Sequence, residues 1–154
     1  MEQADVLVFA SPIYFHHISA QLKKIIEQCD AGSNIKVLGR IPHDQLQPFF
    51  DTHNVGLSYI PMTPYYDVQP PTKTFEYLLS GLAVIGTATS ENKLVINKNN
   101  GVLASDSIEN FQIGLGCLQQ NLKNFNSKQI RLEAQKYSWK HITNQFNNYL
   151  TVLK

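Results

Sequence analysis

Apolar residues recur along this chain in two patterns, short continuous runs and stripes at helical spacing. Their alternation predicts a doubly wound, Rossmann-like parallel α/β sheet. Asp5-Val-Leu-Val-Phe-Ala10 is a continuous run of strand length, as in a strand buried on both faces. Ser19 caps a predicted helix whose Leu22, Ile25, Ile26 and Cys29 fall at i, i+3, i+4 and i+7, and Gly32 ends it. Ile35-Lys-Val-Leu38 reads as the next strand. Gln47-Pro48 opens a short helix with Phe49 and Phe50 facing inward, proline being tolerated in the first turn. Val55-Gly-Leu-Ser-Tyr-Ile60 follows as a third strand.

The stretch from Pro61 to Pro71 holds four prolines and a Tyr65-Tyr66-Asp67 cluster, and it is expected to be structureless. Loops that long in a compact domain are more often functional than decorative. A helix is then predicted from Thr72 to Ser80, closed by Gly81, with Ala83-Val-Ile85 as a fourth strand and Gly101-Val-Leu103 as a short fifth. Asp106 and Glu109 form a capping box for a long helix that carries Ile108, Phe111, Leu115, Leu118, Leu122 and Phe125 on one stripe. Ser138 caps a last amphipathic helix with Trp139, Ile142, Phe146, Tyr149 and Leu153 aligned. No internal repeat is visible, and residues 1–154 are expected to form one domain.

Composition narrows the function classes. Lys and Arg total 13 against 12 Asp and Glu, a net +1 that provides no broad field for nucleic acid or an acidic membrane. Hydrophobic residues at 43% suit an ordinary globule, no apolar run reaches bilayer length, and no signal peptide is read at the start. The two cysteines, Cys29 and Cys117, are too few and too distant for a disulfide framework, so a reducing cytoplasm is the expected compartment.

The helix opening at Thr72 carries the most chemistry. Lys73 and Glu76 lie three residues apart and share a face. Backbone N–H groups of Thr72, Lys73 and Thr74 in the first turn can meet a diphosphate, with Lys73 adding charge. Glu76 can accept two hydrogen bonds from a ribose diol. A carboxylate one turn into a helix is also favoured by the helix dipole alone, by about 0.3–1 kcal/mol, with no ligand at all.

The whole stretch from Pro71 to Ile85 follows the pattern P-x-K-x-x-E-Y-L-x-x-G-x-x-V-I and resembles the donor-site signature of glycosyltransferase family 4, the retaining GT-B enzymes. Other segments are similar to the same family and keep its order. They are Asn34-Ile-Lys-Val-Leu-Gly-Arg-Ile-Pro-His-Asp-Gln-Leu46, Asn54-Val-Gly-Leu-Ser-Tyr-Ile-Pro61, Asn100-Gly-Val-Leu103 and Tyr137-Ser-Trp139. The resemblance covers about residues 34–154 and implies a donor-binding region with nucleotide-diphosphate sugar as substrate and no separate cofactor. It implies that Glu76 binds the ribose, that the Thr72 helix turn meets the diphosphate, and that the Gly39-Arg40-Ile41 turn lies against the base. It also implies a hexosyltransferase in the complete enzyme, serving polysaccharide biosynthesis.

This chain departs from the family in three places. Position 68 is Val where the family has a second Glu that touches the transferred sugar, leaving Asp67 as a neighbouring stand-in and the one catalytic candidate. No Gly-Arg…Lys clamp precedes Asn34, and Arg40 belongs to a different strand from that clamp. The acceptor-binding half is absent, so the isolated chain is not expected to transfer sugar. Membrane association is expected only through that missing half, and the Trp139 stripe is expected to favour a partner domain or a homodimer.

Residues 1–33 point elsewhere. Ala4-Asp-Val-Leu-Val-Phe-Ala-Ser-Pro-Ile-Tyr-Phe15 followed by Ser19-Ala-Gln-Leu-Lys23 resembles flavodoxin-like NAD(P)H-dependent FMN reductases over residues 4–28. In that family the Ser-Pro-x-Tyr loop lies against the flavin. Its phosphate loop comes earlier, and no room for it precedes this segment, so FMN is not expected to bind tightly. A strand–turn–helix unit that merely completes the sheet explains the same residues.

The remaining candidates are weaker. His16 and His17 diverge on either a helix or a strand, and His43, His53 and His141 show no metal-ligand spacing. Tyr65 and Tyr66 suit stacking on a sugar or base as well as packing of their own loop. Gly114 and Gly116 interrupt a helix, for which close packing is the expected reason. No metal site and no Ser-His-Asp or Cys-His set can be argued.

Overall fold

A computed structural model describes residues 7–9 and 41–152. The expected helix after Ser19 and strand Ile35–Leu38, with Gly39 and Arg40, lie outside the described residues. Leu7–Phe9 form β1, Val55–Ser58 β2, Ala83–Thr87 β3 and Gly101–Ala104 β4. Among the described residues these make one sheet in the order β1-β2-β3-β4 with every neighbouring pair parallel. Leu57 stands beside Ile85, and Ile85 beside Val102. Parallel neighbours need crossover connections, and helices supply them. The helices are α1 (Gln47–Asp51), α2 (Pro64–Asp67), α3 (Thr72–Ser80), α4 (Ser90–Val95), α5 (Ile108–Asn121), α6 (Ser127–Ala134) and α7 (Trp139–Val152).

The core lies on both faces of β3, all of whose residues are buried. Val84 faces Tyr77 and Leu78 of α3 with Ile130 and Ala134 of α6. Its neighbour Ile85 points the other way, onto Leu118 of α5, as the pleat requires. This Rossmann-like layering is the one expected from the alternation of runs and stripes. α3 matches its predicted bounds because Gly81 adopts φ 86°, a left-handed conformation that costs glycine little, and its N–H returns to Leu78 and Tyr77. Gly114 packs as expected, since a Cβ there would meet Ile85, whereas Gly116 has open space beside it.

Several local expectations are corrected. The stretch from Pro61 to Pro71 is not structureless, because Thr63 caps α2 by accepting from Tyr66 N–H and Pro64 fills the first position. α4 and α6 were not expected; Thr89 caps the first and Asn126 the second, by accepting from Asn92 and Gln129 N–H. Ser107, not Asp106, caps α5, accepting from Asn110 N–H. α7 begins after Ser138, whose hydroxyl accepts from His141 N–H at 3.3 Å. No residue of α7 is buried, and Trp139 is 81% exposed. Among the described residues no helix is long and apolar enough to cross a membrane.

Candidate functional site

The carboxyl ends of β2 and β3 meet the first turns of α3 and α4 in a buried polar network. Thr74 Oγ1 donates to Asn92 Oδ1 at 2.8 Å and lies 2.9 Å from Ser58 Oγ. Asn92 Nδ2 donates to the Thr87 carbonyl, and Thr87 Oγ1 accepts from Ile60 N–H, both at 2.8 Å. Ser58, Thr74, Thr87 and Asn92 are all buried. Buried polar groups persist where they are paired, and these pairings tie two strand ends to two helix starts. The crevice outside the carboxyl ends of strands is where open α/β sheets place their ligands.

On the other face of α3 the predicted pair comes together. Lys73 is half-buried, and Glu76 keeps 38% of its side chain exposed. Burial pulls the Lys73 ammonium from its ordinary value of 10.5 down to about 8, against the favourable charge of Glu76. Glu76 Oε1 also lies 3.5 Å from Nε2 of His43, in the short 3₁₀ turn His43–Gln45. No side chain caps the first turn of α3. Of the three N–H groups expected to meet a diphosphate, that of Thr72 donates to the Pro70 carbonyl at 3.0 Å, so the tight turn itself uses it. Thr74 points its side chain inward, to Asn92 and Ser58.

Asp67 sits at the end of α2 with both carboxylate oxygens engaged. Its Oδ1 accepts from Ser90 N–H at 2.8 Å and its Oδ2 from Ser90 Oγ at 2.6 Å. Those two hydrogen bonds hold its carboxyl below the usual carboxylate range. Asp67 therefore anchors the loop to the start of α4. A second anchor is Asp106, whose Oδ2 accepts from Met62 N–H at 2.8 Å. Burial, then a hydrogen bond to Asp106, pushes the Tyr59 phenol above its ordinary value. Val68 is 65% exposed beside Asp67, and Tyr65 packs edge-on against Tyr66 with ring centres 5.2 Å apart. Ile41 is half-buried ahead of the His43 turn.

Sequence spacing brought Lys73 and Glu76 together but missed His43, Ser58, Asn92 and Ser90. Their partners are distant in the chain, and no local pattern marks the pairing. Asn92 did carry one signal, a polar residue three positions after the cap Thr89. A small crevice of about 50 Å³ between Leu78, Leu94, Asn97 and Tyr137 shares none of these residues and has room for water alone.

The comparisons with known proteins point in two directions. The sequence profile of NADPH-dependent FMN reductases matches residues 1–47, under half of the chain. A sucrose-phosphate synthase from Thermosynechococcus elongatus has a similar structure, with a TM-score of 0.65 and 18% identity. That match covers 86% of this chain and 33% of the synthase, so this chain spans about a third of its length. At that identity the likeness shows the fold, a Rossmann-like α/β arrangement of the GT-B kind. No curated protein matches the chain. The reductase match and the family 4 resemblance overlap over residues 34–47.

Proposed function

We propose that this chain is the nucleotide-sugar-binding part of a retaining glycosyltransferase of the family 4 type. The observation that carries the reading is the pairing of Lys73, in the uncapped first turn of α3, with Glu76 one turn further in, at the carboxyl edge of the parallel sheet. In this reading the donor diphosphate lies on Lys73 and the N-terminal end of α3, and the ribose diol on Glu76. Sugar transfer then takes place against an acceptor-binding domain, because holding both reactants in one geometry supplies as much as ~7–11 kcal/mol of such a barrier. The structural likeness to the synthase supports the fold part of this reading.

Replacing Glu76 by Ala tests it. Losing two hydrogen bonds between a carboxylate and ribose costs about 1.5–3 kcal/mol, a loss of roughly 10- to 150-fold in affinity for UDP or GDP. Calorimetry that finds equal affinity in the variant removes Glu76 from the site. The match of residues 1–47 supports a second reading, in which the chain binds flavin. A purified protein that is yellow and prefers FMN to riboflavin would favour it over the nucleotide reading.

Lys73 adds a pH dependence. Its ammonium is held to about 8, so the charge that attracts the diphosphate is present below that value and lost as pH rises through it. Affinity for a nucleoside diphosphate is expected to fall roughly tenfold between about pH 7 and about pH 9.5. Lys73→Met should bind weakly and show no such fall. A variant that keeps the wild-type decline would assign it to another group.

A further inference from the structure

We propose that Asn100–Gly101 is a self-modification site held shut by the fold. The pair converts to iso-aspartate when the turn between α4 and β4 opens, and the converted chain does not regain its native packing. The sequence holds one Asn-Gly pair, at these positions. Asparagine is among the chemically labile residues, and a following glycine has no Cβ to crowd its own backbone nitrogen. Ring closure is therefore least hindered at this pair. In that step the Gly101 nitrogen attacks Cγ of Asn100, and the Cγ–Nδ2 bond breaks. The proton from the Gly101 nitrogen goes to the leaving group, which departs as ammonia. Water then opens the cyclic imide at either carbonyl, giving aspartate or iso-aspartate. No oxidant, reductant or other reactant is needed.

The fold requires both residues and blocks their reaction. Asn100 is only 6% exposed. Its Nδ2 donates to the carbonyl of Val95, the last residue of α4, at 3.0 Å, and its Oδ1 accepts from Asn97 N–H at 2.7 Å. Both ends of the amide are thus used to close α4 and turn the chain toward β4. A Cβ at position 101 would collide with the Val84 carbonyl on β3, so glycine is needed there. The nucleophile is engaged as well. Gly101 N–H donates to the Asn97 carbonyl at 2.9 Å, and the Asn100 carbonyl accepts from Val84 N–H at 3.0 Å. Attack requires the Gly101 nitrogen to give up that proton and Cγ to swing round to meet it. These hydrogen bonds oppose both movements, and the parallel pairing of Gly101 with Val84 fixes the peptide. Reaction therefore waits for an opening whose cost lies between local fraying and global unfolding. The conversion is also one-way. A carboxylate at position 100 places an acceptor against the Val95 carbonyl where a donor stood, and iso-aspartate adds a methylene to the main chain where β4 begins.

The test compares the full chain, native and unfolded in guanidinium chloride, at one mildly alkaline pH. Iso-aspartate at position 100 is followed by peptide mapping. The native rate is expected to be lower by about a hundredfold or more, the suppression that even a modest opening cost produces. Unfolded Asn100→Gln should form no product in that peptide, because the longer side chain closes a ring slowly; product that persists places the chemistry at Asn99 and overturns the assignment. Asn100→Asp, one of the two products, should unfold at a clearly lower urea concentration than the wild type. A native rate within about threefold of the unfolded rate overturns the guarding role of the fold. An unfolded wild type that forms no product overturns the site itself, and an Asn100→Asp protein with the wild-type midpoint overturns the one-way step.

Discussion

Tyr77→Ala is expected to lower the stability of the domain by about 3–5 kcal/mol, the range for deleting a large buried aromatic. Tyr77 is fully buried and is the largest side chain so placed among the described residues. Its ring meets Phe50 edge-on at 86° and lies over Gly56, where any Cβ would collide with it. The absence of a side chain at position 56 in β2 is thus what lets α3 approach the sheet. Tyr77 follows Glu76 directly, and its seat sets the rotation of α3 and with it the direction in which Glu76 and Lys73 point. Domains of this size are stable by about 5–15 kcal/mol, so the variant should lose a large share of its stability. Urea unfolding should show the midpoint falling with little change of slope. A loss under about 1 kcal/mol would mean that the helix does not depend on this contact.

Asn92→Leu is expected to cost about 2–4 kcal/mol, although leucine is apolar and similar in size. Asn92 is fully buried, and its side chain serves both Thr74 on α3 and the Thr87 carbonyl at the end of β3. Leucine removes an acceptor and a donor at once, stranding polar groups that have no water to replace them. Under the proposed nucleotide-sugar reading the variant should also bind nucleotide less tightly, because the first turn of α3 loses its tie to α4. Thr74→Ser retains the hydroxyl and should cost less than about 1 kcal/mol. Equal losses in the two variants, measured by thermal unfolding, would show that side-chain volume and not the hydrogen-bond network matters here.

The loop between β2 and α3 depends on anchors that come from elsewhere. Asp67 is 23 residues from Ser90, and Met62 is 44 from Asp106. From the sequence Asp67 was the catalytic candidate standing in for a carboxylate at Val68, and Asp106 the cap of a long helix. In the fold both carboxylates accept hydrogen bonds from distant backbone amides, and Ser107 takes over the cap. A carboxylate goes to whichever donors the tertiary arrangement brings nearest, and spacing along the chain carries no record of that.

What the chain alone determined was whatever depends on neighbours within a few residues. Gly81 stops α3 because only glycine adopts its left-handed backbone cheaply, and the continuous apolar runs at Val55, Ala83 and Gly101 become parallel strands because they are buried. The same locality put Lys73 and Glu76 on one face. The short helices α2, α4 and α6 escaped because a segment of one or two turns shows too few apolar positions for a period; Asn92 and Val95 are all that α4 buries. Only the tertiary structure decided that His43 stands beside Glu76, that Thr74 turns inward to Ser58 and Asn92, and that Tyr77 sits over Gly56. Each of those contacts joins elements that meet only when the sheet closes around its core, and a one-dimensional pattern holds no distance between them.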